Sequence, residues 1–292
     1  MEIQIQHLNQ YYGKKQILHD INLTITTGMY GLLGRNGAGK TTLLKTLVTL
    51  LPVKEGAVTI DGVSIHKQKE IRAKIGFLPQ DFSMYGNMTA YEALDYLGIL
   101  SELDNKTRKI RVPQLLEQVN LSIHKRVKVK AMSGGMKRRL GIAQALLNNP
   151  DVLVVDEPTA GLDPEERLRF RNLLAEVSEN KIVLLSTHIA SDIEATAEKV
   201  AVLDEGRILF ADTIEALIMR ANGKIFSVQI PRTELDELKK QVQIISLQQD
   251  SSLVDVRFIS HGDSTIMQHP LVKEEVPSLE DAYLYLLSEG IK

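Results

Sequence analysis

Three short runs of almost unbroken apolar side chains set the strongest limit on how this chain can fold: residues 29–33 (MYGLL), 152–155 (VLVV) and 182–185 (IVLL). A strand with one face in water alternates between apolar and polar residues. A strand covered by other elements on both faces does not, so runs of this kind belong to a buried parallel sheet. Each run is followed by turn residues and then by a helix-like pattern. After the first, Leu43, Leu44, Leu47, Leu50 and Leu51 recur on one face at helical spacing. Repeated strand-then-helix units predict an α/β fold with a mainly parallel sheet.

The pattern changes twice along the chain. Between about residues 81 and 150 it reads as a helical insertion between strands. Thr89-Ala90-Tyr91-Glu92 fits a capping box, and Tyr91, Leu94 and Leu97 continue a helical stripe. Leu115, Leu116 and Val119 predict a second helix, with Pro113 at its start or kinking it. From residue 221 onward, β-type alternation at 224–230 and 253–259 flanks a charged helical segment at 232–240, and Ser278 is placed to cap a last helix over 278–287. The expected organisation is a large domain over residues 1–220 and a small α+β appendage over 221–292, which suits a chain of 292 residues.

Composition removes several function classes. The formal net charge is −2, so no overall basic field recruits nucleic acid. There are no cysteines, hence no disulfide framework and no thiolate metal site, a composition compatible with a reducing cytosol. The first residues lack the basic-then-apolar pattern of a signal peptide, and no apolar run approaches the roughly 18 residues of a bilayer-spanning helix. A membrane function therefore needs a second chain to supply the span.

The loop after the first apolar run carries the clearest chemistry. Gly34-Arg35-Asn36-Gly37-Ala38-Gly39-Lys40-Thr41-Thr42 matches G-x-x-x-x-G-K-[ST] in full, between a predicted strand and a predicted helix. Glycines let the backbone turn several N–H groups toward phosphate oxygens, and the following helix start adds its dipole. Lys40 is placed to reach the β- and γ-phosphates of a nucleotide, and the Thr41 hydroxyl to ligate magnesium. The second apolar run ends in Asp156-Glu157-Pro158. An aspartate at the end of such a strand suits magnesium, and Glu157, on the opposite side if the strand persists that far, could polarise an attacking water.

Further segments resemble the ATP-binding cassette (ABC) ATPases, in that family's order and over about residues 1–220. Ser133-Gly134-Gly135-Met136-Lys137 resembles the family signature, Ala160-Gly161-Leu162-Asp163-Pro164 the loop after the carboxylates, Ser186-Thr187-His188 the switch histidine, and Phe77-Leu78-Pro79-Gln80 the glutamine loop. Tyr11-Tyr12-Gly13 supplies an aromatic where the family stacks adenine, with Tyr12 favoured and Tyr11 the substitute. The resemblance implies a P-loop NTPase core binding ATP and Mg2+. It implies that Gln80 contacts magnesium or the attacking water, that Asp156 holds magnesium, that Glu157 activates the water, and that His188 reaches the γ-phosphate. Ser133, Gly134 and Gly135 would then face nucleotide held by a second copy, and Asp163, in the loop after the carboxylates, is a further nucleotide-binding candidate. Met132 replaces the usual leucine and Met136 a frequent glutamine.

The basic residues Arg126, Lys128, Lys130, Lys137, Arg138 and Arg139 read first as a solvated face. The function implied is an ATP-hydrolysing motor working as a nucleotide-sandwich homodimer on separate transmembrane permease subunits, at the cytoplasmic face of the membrane. The signature and the tail around Ser278-Leu279-Glu280-Asp281-Ala282-Tyr283 resemble export-type subunits. An importer subunit, a non-transport cassette ATPase and a regulatory binding module are the alternatives. Against the last two stand the lack of a second phosphate loop or sustained heptads, and the intact Lys40, Asp156, Glu157 and His188.

Overall fold

The computed structural model describes residues 1–250, 253–260 and 265–289. The chain divides into two compact units, Met1–Ala211 and Asp212–Lys292.

In the first unit, antiparallel strands β1 (Glu2–Tyr12) and β2 (Lys15–Thr26) lead into β3 (Gly28–Leu33), the phosphate loop and α1 (Lys40–Leu47). β4 (Glu55–Ile60), β5 (Val63–Ser64), α2 (Gln68–Lys74) and β6 (Ile75–Leu78) follow. The helical insertion then contributes α3 (Ala90–Leu100), α4 (Asn105–Gln118) and α5 (Gly134–Ala145). The chain returns as β7 (Val152–Asp156), α6 (Pro164–Ser178), β8 (Ile182–Thr187), α7 (Ala190–Glu194), β9 (Lys199–Asp204) and β10 (Arg207–Thr213). One sheet has the order β2-β1-β4-β5 and the other β10-β9-β3-β8-β7-β6. Strands β9, β3, β8, β7 and β6 pair in parallel.

The two-sided covering of this sheet explains the unbroken apolar runs. Alternate residues enter different cores. Leu32, Val152, Val154 and Leu184 pack with Leu43, Leu44 and Leu47 of α1 and with the antiparallel sheet. Leu153, Val155, Val183 and Leu185 pack with the insertion and with α6. Each such fully buried side chain stabilises the fold by about 1.5–3 kcal/mol relative to exposure.

One local expectation needs correction, and the place of Pro113, which the sequence leaves open, is settled. α1 stops at Leu47, and the turn through Thr49 (φ 61) leaves Leu50 58% exposed rather than on the helix stripe. α4 starts at Asn105, capped by the Asp104 carboxylate, so Pro113 lies inside it. Pro113 and Lys109, whose carbonyl loses its helical donor, are both exposed, which lets water satisfy that carbonyl. The capping box at Thr89 is present, with Glu92 bonded back to the Thr89 N–H.

The second unit comprises α8 (Ile214–Arg220), β11 (Ile225–Pro231), α9 (Leu235–Gln241), β12 (Gln243–Asp250), β13 (Leu253–Ile259), β14 (Lys273–Glu274) and α10 (Leu279–Glu289). Its sheet has the order β12-β13-β11-β14, with antiparallel pairings. Val228, Ile230, Val254, Val256 and Phe258 form the core face against Leu238 of α9. α8 packs against α10 and so belongs here, which moves the boundary from the expected residue 221 to Asp212. Ser278 caps α10, accepting from the Asp281 N–H.

Candidate nucleotide-binding site

The strand registers bring the candidate residues to one level. Leu33 lies beside Thr187, Asp156 beside Ser186, and Leu78 beside Val155. The phosphate loop, His188, the Asp156-Glu157 pair and Gln80 thus all leave the carboxyl ends of four neighbouring parallel strands, where open α/β sheets bind ligands.

Two glycines shape the loop. A Cβ on Gly34 would stand 2.3 Å from the Leu203 carbonyl oxygen, so only glycine fits where β3 meets the loop. Gly39, at φ 109, precedes the first helical residue. No side chain caps α1, which leaves its N-terminal N–H groups facing the loop for an anion. Lys40 is buried, 5% exposed. Its Nζ donates to the carbonyl oxygens of Gly34 (2.8 Å) and Arg35 (3.1 Å) and pairs with Glu157 Oε1 at 3.0 Å.

Asp156 is buried at the end of β7 and accepts from the Thr41 hydroxyl at 2.8 Å and from the Ser186 hydroxyl. Glu157 departs from the expectation. The strand stops at Asp156, and Glu157 adopts a left-handed backbone, φ 47. The alternation that would send its side chain to the opposite side therefore ends one residue too early. The carboxylate turns toward Lys40, with Oε2 2.6 Å from Nδ1 of His188.

A cleft of about 460 Å3 is lined by Lys40, Thr41, Thr42, Gln80, Glu157 and His188 among others. Asn36, Gly37 and Gly39 of the loop line it as well. Ile17 also lines it and was not marked by the sequence, since a lone aliphatic carries no chemical signal, and so does Ala160, the first residue of the loop after the carboxylates. A larger cleft, about 580 Å3, lies along Arg72, Phe77, Phe82 and Gln144 and holds none of the charged groups that make this site.

Several expected site residues lie elsewhere. Tyr12 is 48% exposed at the end of β1, outside the cleft lining, and the Tyr11 hydroxyl bonds Glu55. Ser133 caps α5, accepting from the Met136 N–H at 3.1 Å. Gly134 is exposed, and Gly135 is packed so closely that a Cβ would meet the Glu166 carboxylate at 2.4 Å. Asp163 caps α6 through the Glu166 N–H. None of Ser133, Gly134, Gly135 or Asp163 lines the cleft of its own chain.

The basic run divides. Arg126, Lys128 and Lys130 are exposed, as a solvated face requires. Arg139 is buried against the carbonyls of Val119 and Asn120 and pairs with Glu166, and Arg138 turns inward.

A buried lysine beside backbone donors can hold polyphosphate, a hydroxyl and a carboxylate 2.8 Å apart can share a cation, and a carboxylate beside a histidine can orient water. Comparison with known proteins agrees. A family model described as ABC transporter matches residues 18–160. The chain is 33% identical over 224 residues to the linearmycin resistance ATP-binding protein LnrL of Bacillus subtilis, covering 76% of this chain and 72% of the relative. It is 31% identical over 301 residues to the Nod factor export ATP-binding protein I of Bradyrhizobium diazoefficiens, covering 98% and 96%. It superposes on the dimeric post-hydrolysis state of the ATP-binding cassette MJ0796 bound to ADP and Pi, with a TM-score of 0.64 and 26% identity, covering 72% of this chain and 98% of that one. The loop, the paired carboxylates and these relatives together place the chain in the ABC transporter family, as an ATP-binding subunit that hydrolyses ATP.

Proposed function

We propose that two copies of this chain close head to tail around two ATP–magnesium units, and that this cycle drives export through separate transmembrane permease subunits at the cytoplasmic face of the membrane. One observation carries the reading. Lys40, Thr41, Glu157 and His188 share a cleft within one chain, whereas the helix start at Ser133, Gly134 and Gly135 lies outside it. That helix start is then left for the phosphates held by a second copy. The dimeric cassette among the structural relatives, and the export and resistance functions in the relatives' names, support this assignment.

The donor set at Thr41, Asp156 and Gln80 fits a hard divalent cation, being hydroxyl, carboxylate and amide oxygen. Magnesium, when bound there, neutralises charge on the phosphates. Lys40 exchanges its loop carbonyls and Glu157 for β- and γ-phosphate oxygens. Glu157, released from the lysine, accepts or orients a proton of the attacking water, and His188 holds the carboxylate in line. Loss of the γ-phosphate removes the charge shared between the copies, and the dimer opens.

Complementation tests this reading. Lys40→Ala removes the cradle's charge, and Ser133→Glu sets a carboxylate where the partner's phosphate belongs. Each variant alone should lose turnover, and mixing the two should restore one working site per heterodimer. Mixed chains that form dimers yet never hydrolyse ATP would refute the composite site.

A further inference from the structure

Arg138 belongs to the basic run of α5 but reaches across to the loop that follows β7. Its Nη1 donates to the carbonyl oxygen of Glu157 and its Nη2 to that of Ala160, both at 3.0 Å. Asp81, the residue after Gln80, acts on the same guanidinium through its charge. One planar, two-pronged cation thus spans both ends of the turn that contains Glu157. A lysine offers one nitrogen and can bridge two carbonyls only where they converge on it, whereas the guanidinium meets these two with separate nitrogens.

That turn needs fixing. Glu157 holds φ 47, a left-handed conformation that non-glycine residues keep only when the surroundings impose it. Its N–H donates to the Ser186 carbonyl oxygen at 3.0 Å, which anchors one side to β8. Arg138 anchors the other side, at the Glu157 carbonyl and three residues on at Ala160. Rotation at Glu157 would swing its carboxylate away from Lys40 and His188. Arg138 also lies on the helix that begins at Ser133, so one rigid element joins the signature segment to the backbone of Glu157.

We infer that Arg138 is a positioning residue that sets the carboxylate of Glu157 through the backbone of its own chain, and that through it the signature helix of each copy is linked to that copy's own base. This rests on the composite-site reading above. It assigns Arg138 to the site where its own chain supplies the phosphate cradle, not to the site where its chain supplies Ser133.

Mixed dimers separate the two. In a heterodimer of Lys40→Ala and Ser133→Glu chains, the single working site takes its cradle and Glu157 from the Ser133→Glu chain and its signature from the Lys40→Ala chain. Arg138→Gln is added to one chain or the other, and ATP turnover is measured against ATP concentration. Placed on the Ser133→Glu chain, it should lower kcat by about tenfold with KM changed by no more than about twofold, the pattern of a lost transition-state arrangement. Placed on the Lys40→Ala chain, where the Glu157 it holds serves no working site, it should cost no more than about twofold, which also shows that the variant folds. Arg138→Lys, reaching one carbonyl, should recover part of the loss on the first chain. Equal losses in both placements, or a loss confined to the Lys40→Ala chain, would make Arg138 a support of the signature helix and overturn the inference. No loss in either placement would overturn it as well. A heterodimer inactive with Arg138 intact in both chains would overturn the composite-site reading first, and this inference with it.

Discussion

Lys40 and Glu157 illustrate how one side chain conditions the other at the scale of single residues. Both are nearly excluded from solvent, with side chains 5% and 7% exposed, and they pair at 3.0 Å. Replacing Glu157 with glutamine keeps the shape and the hydrogen-bonding oxygen but removes the charge that balances Lys40. Two outcomes are expected. Turnover should fall at least about a hundredfold, the lower end of what a positioned base contributes, while ATP still binds and holds the dimer closed. The nucleotide-free variant should also melt at a lower temperature than the parent, because a buried ammonium has lost its counter-ion. Phosphate supplies that missing charge, so ATP should raise the melting temperature of Glu157→Gln more than that of the parent. Thermal denaturation with and without nucleotide measures this. Equal stability of the two free proteins would show that the loop carbonyls of Gly34 and Arg35 alone satisfy Lys40.

Among the elements, α10 and β13 are joined by a buried clasp that makes a pH-dependent prediction. Arg257 forks onto Asp281, Nε to Oδ1 at 3.1 Å and Nη2 to Oδ2 at 2.7 Å, and Ser278 donates to the same carboxylate from its N–H and its hydroxyl. Burial alone pushes the Asp281 carboxyl up, and the Arg257 and Ser278 bonds outweigh it and hold the group below the usual carboxylate range. A carboxyl depressed in the folded state stabilises fully above its unfolded pKa of about 4, and that stability is lost as pH falls through the folded value. Asp281→Asn should therefore lower protection of the α10 amides from hydrogen exchange at neutral pH, by about 3 kcal/mol for a broken, mostly buried pair. It should also flatten the loss of protection on acidification. An unchanged acid profile in the variant would place the acid sensitivity elsewhere. The same elements show what the sequence could reveal. Strands buried on both faces announce themselves, as 152–155 and 182–185 do, and the Thr89 and Ser278 caps are visible because capping depends on a few adjacent residues. β12 (QIISLQQD) escaped notice because an edge strand with mostly exposed side chains needs no alternation. The direction of Glu157 escaped it too, since a strand ending one residue earlier reverses the side on which a carboxylate falls.

For the whole molecule, the proposed export function requires that ATP hydrolysis reach a membrane partner, and the segment after Gln80 is where the core meets the insertion. Phe82, Met84 and Tyr85 put three apolar side chains there, and the sequence leaves open whether they pack inward or face a partner. The structure gives them different surroundings. Phe82 and Met84 pack against the core of the insertion, and Met84 lines a cavity of about 250 Å3 with Val129 and Leu140. Tyr85 is 53% exposed, held edge-on against Tyr96 at 5.3 Å. Single substitutions at Met84 and Tyr85 therefore separate the two roles. Met84→Asp should lower the melting temperature of the isolated chain, since it sets a carboxylate against apolar side chains. Tyr85→Asp forfeits only an aromatic contact worth about 0.5–1.5 kcal/mol, so the chain should stay folded and bind ATP. If a permease segment grips the exposed ring, Tyr85→Asp should abolish co-purification with the membrane subunits and the transport they support, while basal hydrolysis persists. Transport at the parental rate in Tyr85→Asp would remove this segment from the coupling path. A collapse of stability in Tyr85→Asp equal to that of Met84→Asp would show that the ring is part of the core.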